Sequence, residues 1–179
     1  MLRDLAARRY AQAAFELARD KSELEAWERD LHSLAASLSM PEAVAFVSSR
    51  HVGPEQKAEF LQRIAGEMTP LVWNLVRLLA AKSRLALLPQ IAEAFQELLD
   101  EHRGIAHARV TTAVALSSDE REALARKLSE LTGKQVQIEV NEDPELLGGL
   151  VARIGDRLID GSTRTKLIAL KRRLAGSAG

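Results

Sequence analysis

The apolar residues of this 179-residue chain change period at Gly104, and that change divides it into two parts with different architectures. Before Gly104 they recur every three or four residues, the spacing of a helix face. After it they alternate, the beat of a strand. An all-helical part, residues 1–104, is therefore followed by a smaller mixed part, residues 105–179, and the fold class is α+β.

The helical part carries its own punctuation. Leu2, Leu5, Tyr10, Ala13 and Leu17 lie near one another on a first helix, and Ala6, Ala7, Ala11, Ala14 and Ala18 keep it thin. Leu24, Trp27, Leu31, Leu34 and Leu38 form the apolar stripe of a second. Three starts follow at Pro41, Pro54 and Pro70, each with proline in a first turn. Proline is tolerated there because the first amide has no helical acceptor. Val44 and Val47 follow the first start, Phe60, Leu61 and Ile64 the second, and Leu71, Leu75, Leu78 and Leu79 the third. A sixth helix carries Leu88, Ile91, Phe95, Leu98 and Leu99, with Pro89 in its first turn, and stops at His102-Arg103-Gly104. These segments predict a six-helix bundle.

In the second part, Ala106 to Val114 alternate as a strand. Ser117 and Glu120 fit a capping box, and Leu124, Leu128 and Leu131 follow on one helix face up to Gly133. Val136, Ile138 and Val140 alternate again. Leu150 to Ile154 and Arg157 to Ile159, joined by Gly155-Asp156, read as a hairpin. Asp160-Gly161-Ser162 reads as a strand exit and cap for a last helix with Leu167, Leu170 and Leu174 inward. The elements so read run strand, helix, strand, a two-stranded hairpin and a last helix, a small α/β unit.

Composition narrows the function. The 25 basic and 25 acidic residues cancel, so nothing draws the chain as a whole to nucleic acid or an anionic membrane. With no cysteine there is no disulfide, thiolate metal site or cysteine nucleophile. No apolar run approaches the roughly 20 residues that span a bilayer. His32, His51, His102 and His107 show no helical metal-ligand spacing. Gly148 and Gly149 lead into a strand with no lysine after them, so they do not make a phosphate loop; they suit a close or positive-φ backbone. Asp156 is best explained as a turn residue, Asp160 as a strand exit. No catalytic, metal or cofactor-binding residue is expected, and a small enzyme is the weaker alternative. An unrelated helical scaffold with a similar hairpin is the other.

The stretch from Leu147-Gly148-Gly149-Leu150 through Gly155-Asp156 to Asp160-Gly161-Ser162, continued by the leucine-rich basic segment Arg164 to Leu174, resembles the signature of the F-type ATP synthase delta subunit family. That family includes the mitochondrial oligomycin-sensitivity-conferring protein. Arg9-Tyr10-Ala11-Gln12-Ala13-Ala14-Phe15 resembles its first helix, and Asn74 to Leu88 its fifth. Asn141-Glu142-Asp143-Pro144 departs from the family's usual turn but keeps Asp-Pro.

The resemblance implies a non-catalytic stator subunit of a proton-translocating ATP synthase. Residues 1–104 are expected to bind the catalytic head, with Tyr10, Ala13, Ala14 and Leu17 facing Asn74, Leu75, Leu78 and Ala81 across a groove for the N-terminal helix of an alpha subunit. Periodicity alone assigns these residues to the bundle core. Residues 105–179 are expected to bind b-type stalk subunits through Leu167, Leu170, Lys171 and Leu174. Neither nucleotide nor nucleic acid is an expected partner. Without a leader, the chain is expected to be bacterial and to lie on the cytoplasmic face of the cell membrane, held there only through the complex.

Overall fold

The computed structural model describes residues 2–144, 146, 148–155 and 157–160, with residues 2–4 described by backbone alone. The chain divides into two compact units, Met1–Leu99 and Asp100–Gly179.

The first unit holds α1 (Leu2–Asp20), α2 (Leu24–Ser37), α3 (Pro41–Ser48), α4 (Pro54–Ala65), α5 (Pro70–Ala81) and most of α6 (Leu88–Arg103). A 3-10 turn, Leu85–Leu87, precedes α6. Pro41, Pro54 and Pro70 each open their helix. The core is centred on Phe95 of α6. Its ring lies 6.2 Å from that of Trp27 in α2 and 5.9 Å from that of Phe15 in α1, so one aromatic joins three helices. Leu31, Leu34, Leu61, Val72, Val76, Leu79, Leu88, Ile91 and Leu99 fill the space around it.

Helix α1 reaches this core through small residues. Ala7, Ala11, Ala14 and Ala18 are buried, and the absence of larger side chains lets neighbouring backbones approach. Phe15 joins them in the core, whereas Leu5 and Leu17 point elsewhere, at 58% and 39% exposure. In α3 the buried residues are Ala43 and Val47, whereas Val44 faces outward. In α4 Leu61 is buried and Ile64 is exposed, while Phe60 stacks on Phe46 of α3 with 4.3 Å between ring centres.

Helices α1 and α5 end in the same way. Ser22 and Ser83 adopt left-handed conformations with φ of 57° and 55°. The following amides turn back: Glu23 N donates to the Ala18 carbonyl at 2.8 Å, and Arg84 N to the Leu79 carbonyl at 2.7 Å. Both are Schellman endings with serine at the position where glycine is usual.

The second unit is a four-stranded sheet of order β2-β1-β3-β4, with β1 Ile105–Thr112, β2 Gln135–Glu142, β3 Leu150–Ile154 and β4 Arg157–Asp160. Strands β1 and β2 are parallel and are connected through α7 (Ser118–Thr132), as parallel neighbours require a crossover. Strand β3 runs antiparallel to both β1 and β4. Ala108, Val110, Val136, Ala152 and Ile154 pack with Leu128 of α7 on one face. Gly133, left-handed at φ 68°, ends α7. The expected last helix falls outside the described residues.

Candidate functional site

The residues expected to receive a partner helix fall on the outward faces of α1 and α5. On α1, Ala13 is exposed, Leu17 is 39% exposed and Tyr10 is half-buried. On α5, Asn74 and Ala81 are exposed, Leu78 is 46% exposed and Leu75 is half-buried. Ala14 is different: at 4% exposure it belongs to the alanine face that seats α1 on the core, so it is not available to a partner. The sequence reading erred there because adjacent residues on a helix point to different faces.

Two apolar faces thus share α1. The alanine face with Phe15 is inside, and the face with Leu5, Tyr10, Ala13 and Leu17 is outside. Periodicity assigned the second face to the core, and the structure reverses that for the exposed members. Leu5 and Leu17 on α1 and Leu78 on α5 stand exposed, and exposed apolar residues that gather in one patch mark interaction surfaces.

The connection after α5 touches α1. Arg84 Nη1 donates to the Tyr10 hydroxyl at 3.0 Å, and the guanidinium carbon lies 5.9 Å from the ring centre. The far end of α5 is held by α2. Asp30, 3% exposed, accepts a hydrogen bond from the Thr69 amide at 2.7 Å. One turn along α2, Ser33 donates to the Ala65 carbonyl at 2.7 Å, at the end of α4. Asp30 escaped the sequence reading. Its signal is an acid inside an apolar stripe, three residues after Trp27 and four before Leu34.

The sheet's other face carries polar side chains. Its register sets Glu139, Arg109, Arg153 and Leu158 in one row across the four strands. Glu139, Arg109 and Arg153, together with His107 and Gln137, line a shallow basin of about 450 Å³. Arg109 Nε is 3.5 Å from Glu139, and His107 Nε2 is 2.8 Å from Asp100. Arg153 Nε donates to the Gly155 carbonyl at 3.4 Å, and among the described residues no group of three or more acids and histidines could hold a metal. This cluster depends on strand order, so the sequence did not reveal it.

Gly148 and Gly149 have φ of 119° and 86°, values that side chains rarely adopt, and they bring the chain into β3. Gly155, at φ 55°, sits in the β3–β4 turn, and Asp160 ends β4. Asp156, Gly161, Ser162, Leu167, Leu170, Lys171 and Leu174 lie outside the described residues. Among the described residues no helix is long and apolar enough to cross a membrane.

Known proteins resemble this chain along nearly its whole length. The family model for the ATP synthase delta (OSCP) subunit matches residues 6–174. An ATP synthase subunit delta from Dehalococcoides mccartyi is 36% identical over 169 residues, covering 94% of this chain and 93% of that protein. One from Symbiobacterium thermophilum is 36% identical over 176 residues, covering 97% and 95%. A chain in the cryo-EM structure of the Toxoplasma gondii mitochondrial ATP synthase hexamer has the same fold, with a TM-score of 0.69 at 24% identity over 94% of this chain and 97% of that one. The chain belongs to the ATP synthase delta (OSCP) subunit family, a non-catalytic component of the peripheral stalk of F-type ATP synthase.

Proposed function

We propose that residues 1–104 bind the catalytic head by taking the amphipathic N-terminal helix of an alpha subunit between α1 and α5. Tyr10, Ala13, Leu17, Asn74, Leu75, Leu78 and Ala81 form the contact. The observation that supports this reading is the outward placement of Leu17 and Leu78 while the alanine face of α1 is buried. Small residues admit an incoming backbone, and the leucines and Tyr10 supply apolar area, as in helix-in-groove recognition. Burial contributes on the order of 25 cal/mol per Å² of apolar surface, less the cost of ordering the incoming segment.

Residues 105–179 bind the b-type stalk subunits, with Leu167, Leu170, Lys171 and Leu174 as contacts. The rotor applies torque to the head, and unless the head is held to the membrane-embedded stator it turns with the rotor and no work is stored. Two grips on one chain raise the effective concentration of each partner for its site. The subunit then works on the cytoplasmic face of a bacterial membrane and reaches it only through the complex. The bacterial relatives support this placement.

Calorimetry with a synthetic peptide of the alpha-subunit N-terminus tests the first grip. Saturable binding to the full chain is expected, and no heat of binding at high peptide concentration would remove the groove. For the second grip, a chain ending at Gly104 should still bind the head but leave ATP hydrolysis uncoupled from proton pumping in membranes. Normal pumping with that truncation would rule the tether out.

A further inference from the structure

We propose that Asp30 is a positioning residue for partner binding: its buried carboxylate fixes the start of α5 and thereby the spacing of the α1–α5 groove. The inference rests on the groove reading given above.

The carboxylate lies within the apolar stripe of α2, flanked by Trp27 and Leu34, and its side chain is 2% exposed. An acid is costly to bury unless both oxygens find partners. Here Oδ2 accepts from the Thr69 amide at 2.7 Å. Oδ1 accepts from Arg29 Nε and Nη2 at 3.3 and 3.2 Å. Thr69 is the N-cap of α5, and its own hydroxyl makes no capping bond. That hydroxyl is buried without a hydrogen-bond partner among the described residues. The next residue, Pro70, has no N–H to donate. The position of this helix end is therefore set by a carboxylate on a different helix, through a short charge-assisted bond. The positive end of the α5 dipole also faces that charge.

The first groove residues of α5, Asn74 and Leu75, follow within two turns. A shift of the α5 start carries them with it. The other end of α5 is held by the Arg84–Tyr10 bond, so the helix is fixed at both ends while its outward side stays open. A groove held in its binding geometry spares the partner the work of ordering it.

The test compares full-length wild type with Asp30→Ala, Asp30→Asn and Ser33→Ala, using the alpha N-terminal peptide as probe. Asp30→Ala should weaken binding about five- to tenfold. Asp30→Asn keeps an acceptor for the Thr69 amide and should stay within about twofold of wild type. Ser33→Ala loses a bond to the end of α4 and should lower the melting temperature without changing affinity. Tyr10 is the only tyrosine. A fluorotyrosine label thus gives one groove signal, which should move in Asp30→Ala and not in Asp30→Asn. Coupling is reciprocal. In wild type, therefore, peptide should slow exchange of the Thr69 amide more than that of α4 amides, a reading that holds even if Asp30→Ala fails to fold. Folded Asp30→Ala that binds like wild type would overturn the proposal, as would a Thr69 amide that ignores the peptide. A wild type that does not bind removes the groove reading itself.

Discussion

Arg84, just past the end of α5, donates to the hydroxyl of Tyr10 on α1 across 74 positions of sequence. The bond joins the two helices that carry the exposed leucines, and it leaves the tyrosine ring half in solvent. Tyr10→Phe keeps the ring and removes the acceptor. Binding of the alpha N-terminal peptide should weaken about threefold, while stability falls by only about 0.5 kcal/mol, because the bond is exposed. Calorimetry and thermal melting on one preparation separate the two effects. Equal loss in Tyr10→Phe and Tyr10→Ala would mean that the hydroxyl, not the ring, supplies the contact.

Neighbouring alanines on α1 should respond in opposite ways. Ala13 is exposed and Ala14 is 4% exposed. Ala13→Asp should leave stability within about 0.5 kcal/mol of wild type and reduce peptide affinity about tenfold. Ala14→Asp would bury an unpaired carboxylate and should cost about 3 kcal/mol or more. Urea denaturation checks the stabilities. Similar curves for the two variants would contradict the assignment of the two faces.

The contrast also shows how far the sequence could be read. The starts at Pro41, Pro54 and Pro70 were legible because proline leaves few other places for a helix to begin. The hairpin of β3 and β4 was legible from alternation around a short turn. The inner face of α1 was not. Both of its faces are apolar, and period alone cannot say which of two apolar stripes meets the core. In α3 likewise, period does not say whether Ala43 or Val44 turns inward; Ala43 is buried and Val44 exposed. The Asp30–Thr69 bond and the row Glu139, Arg109, Arg153, Leu158 depend on which distant segments meet, and no local pattern reports that.

Ser22 and Ser83 offer a gain in stability. Each holds a positive φ at a Schellman ending, 57° and 55°, where a side chain is strained. Replacement by glycine should relieve that strain and stabilise the chain by about 0.5–1 kcal/mol per site, after the added freedom of the unfolded state is counted. The sites end different helices and should add. Thermal melts of the single and double variants check this, and a lower melting temperature for either single variant would refute the strain.

The capping box of α7 makes a pH-dependent contribution. Glu120 accepts from the Ser117 amide at 2.9 Å and from its hydroxyl at 2.8 Å, and the Glu120 amide donates back to the Ser117 oxygen at 3.3 Å. The bond from the Ser117 amide, and then that from its hydroxyl, hold the Glu120 carboxyl below its ordinary value. A carboxyl whose folded value is depressed binds fewer protons folded than unfolded. Its stabilisation is therefore present above the unfolded value and fades as pH falls through the folded one. Glu120→Gln keeps a polar group but cannot ionise. Its stability difference from wild type should be greatest near neutral pH and shrink steadily in acid. Nuclear magnetic resonance titration of the Glu120 side chain gives the folded value directly, and a midpoint at or above that of a free glutamate would show that the box does not favour the charged form.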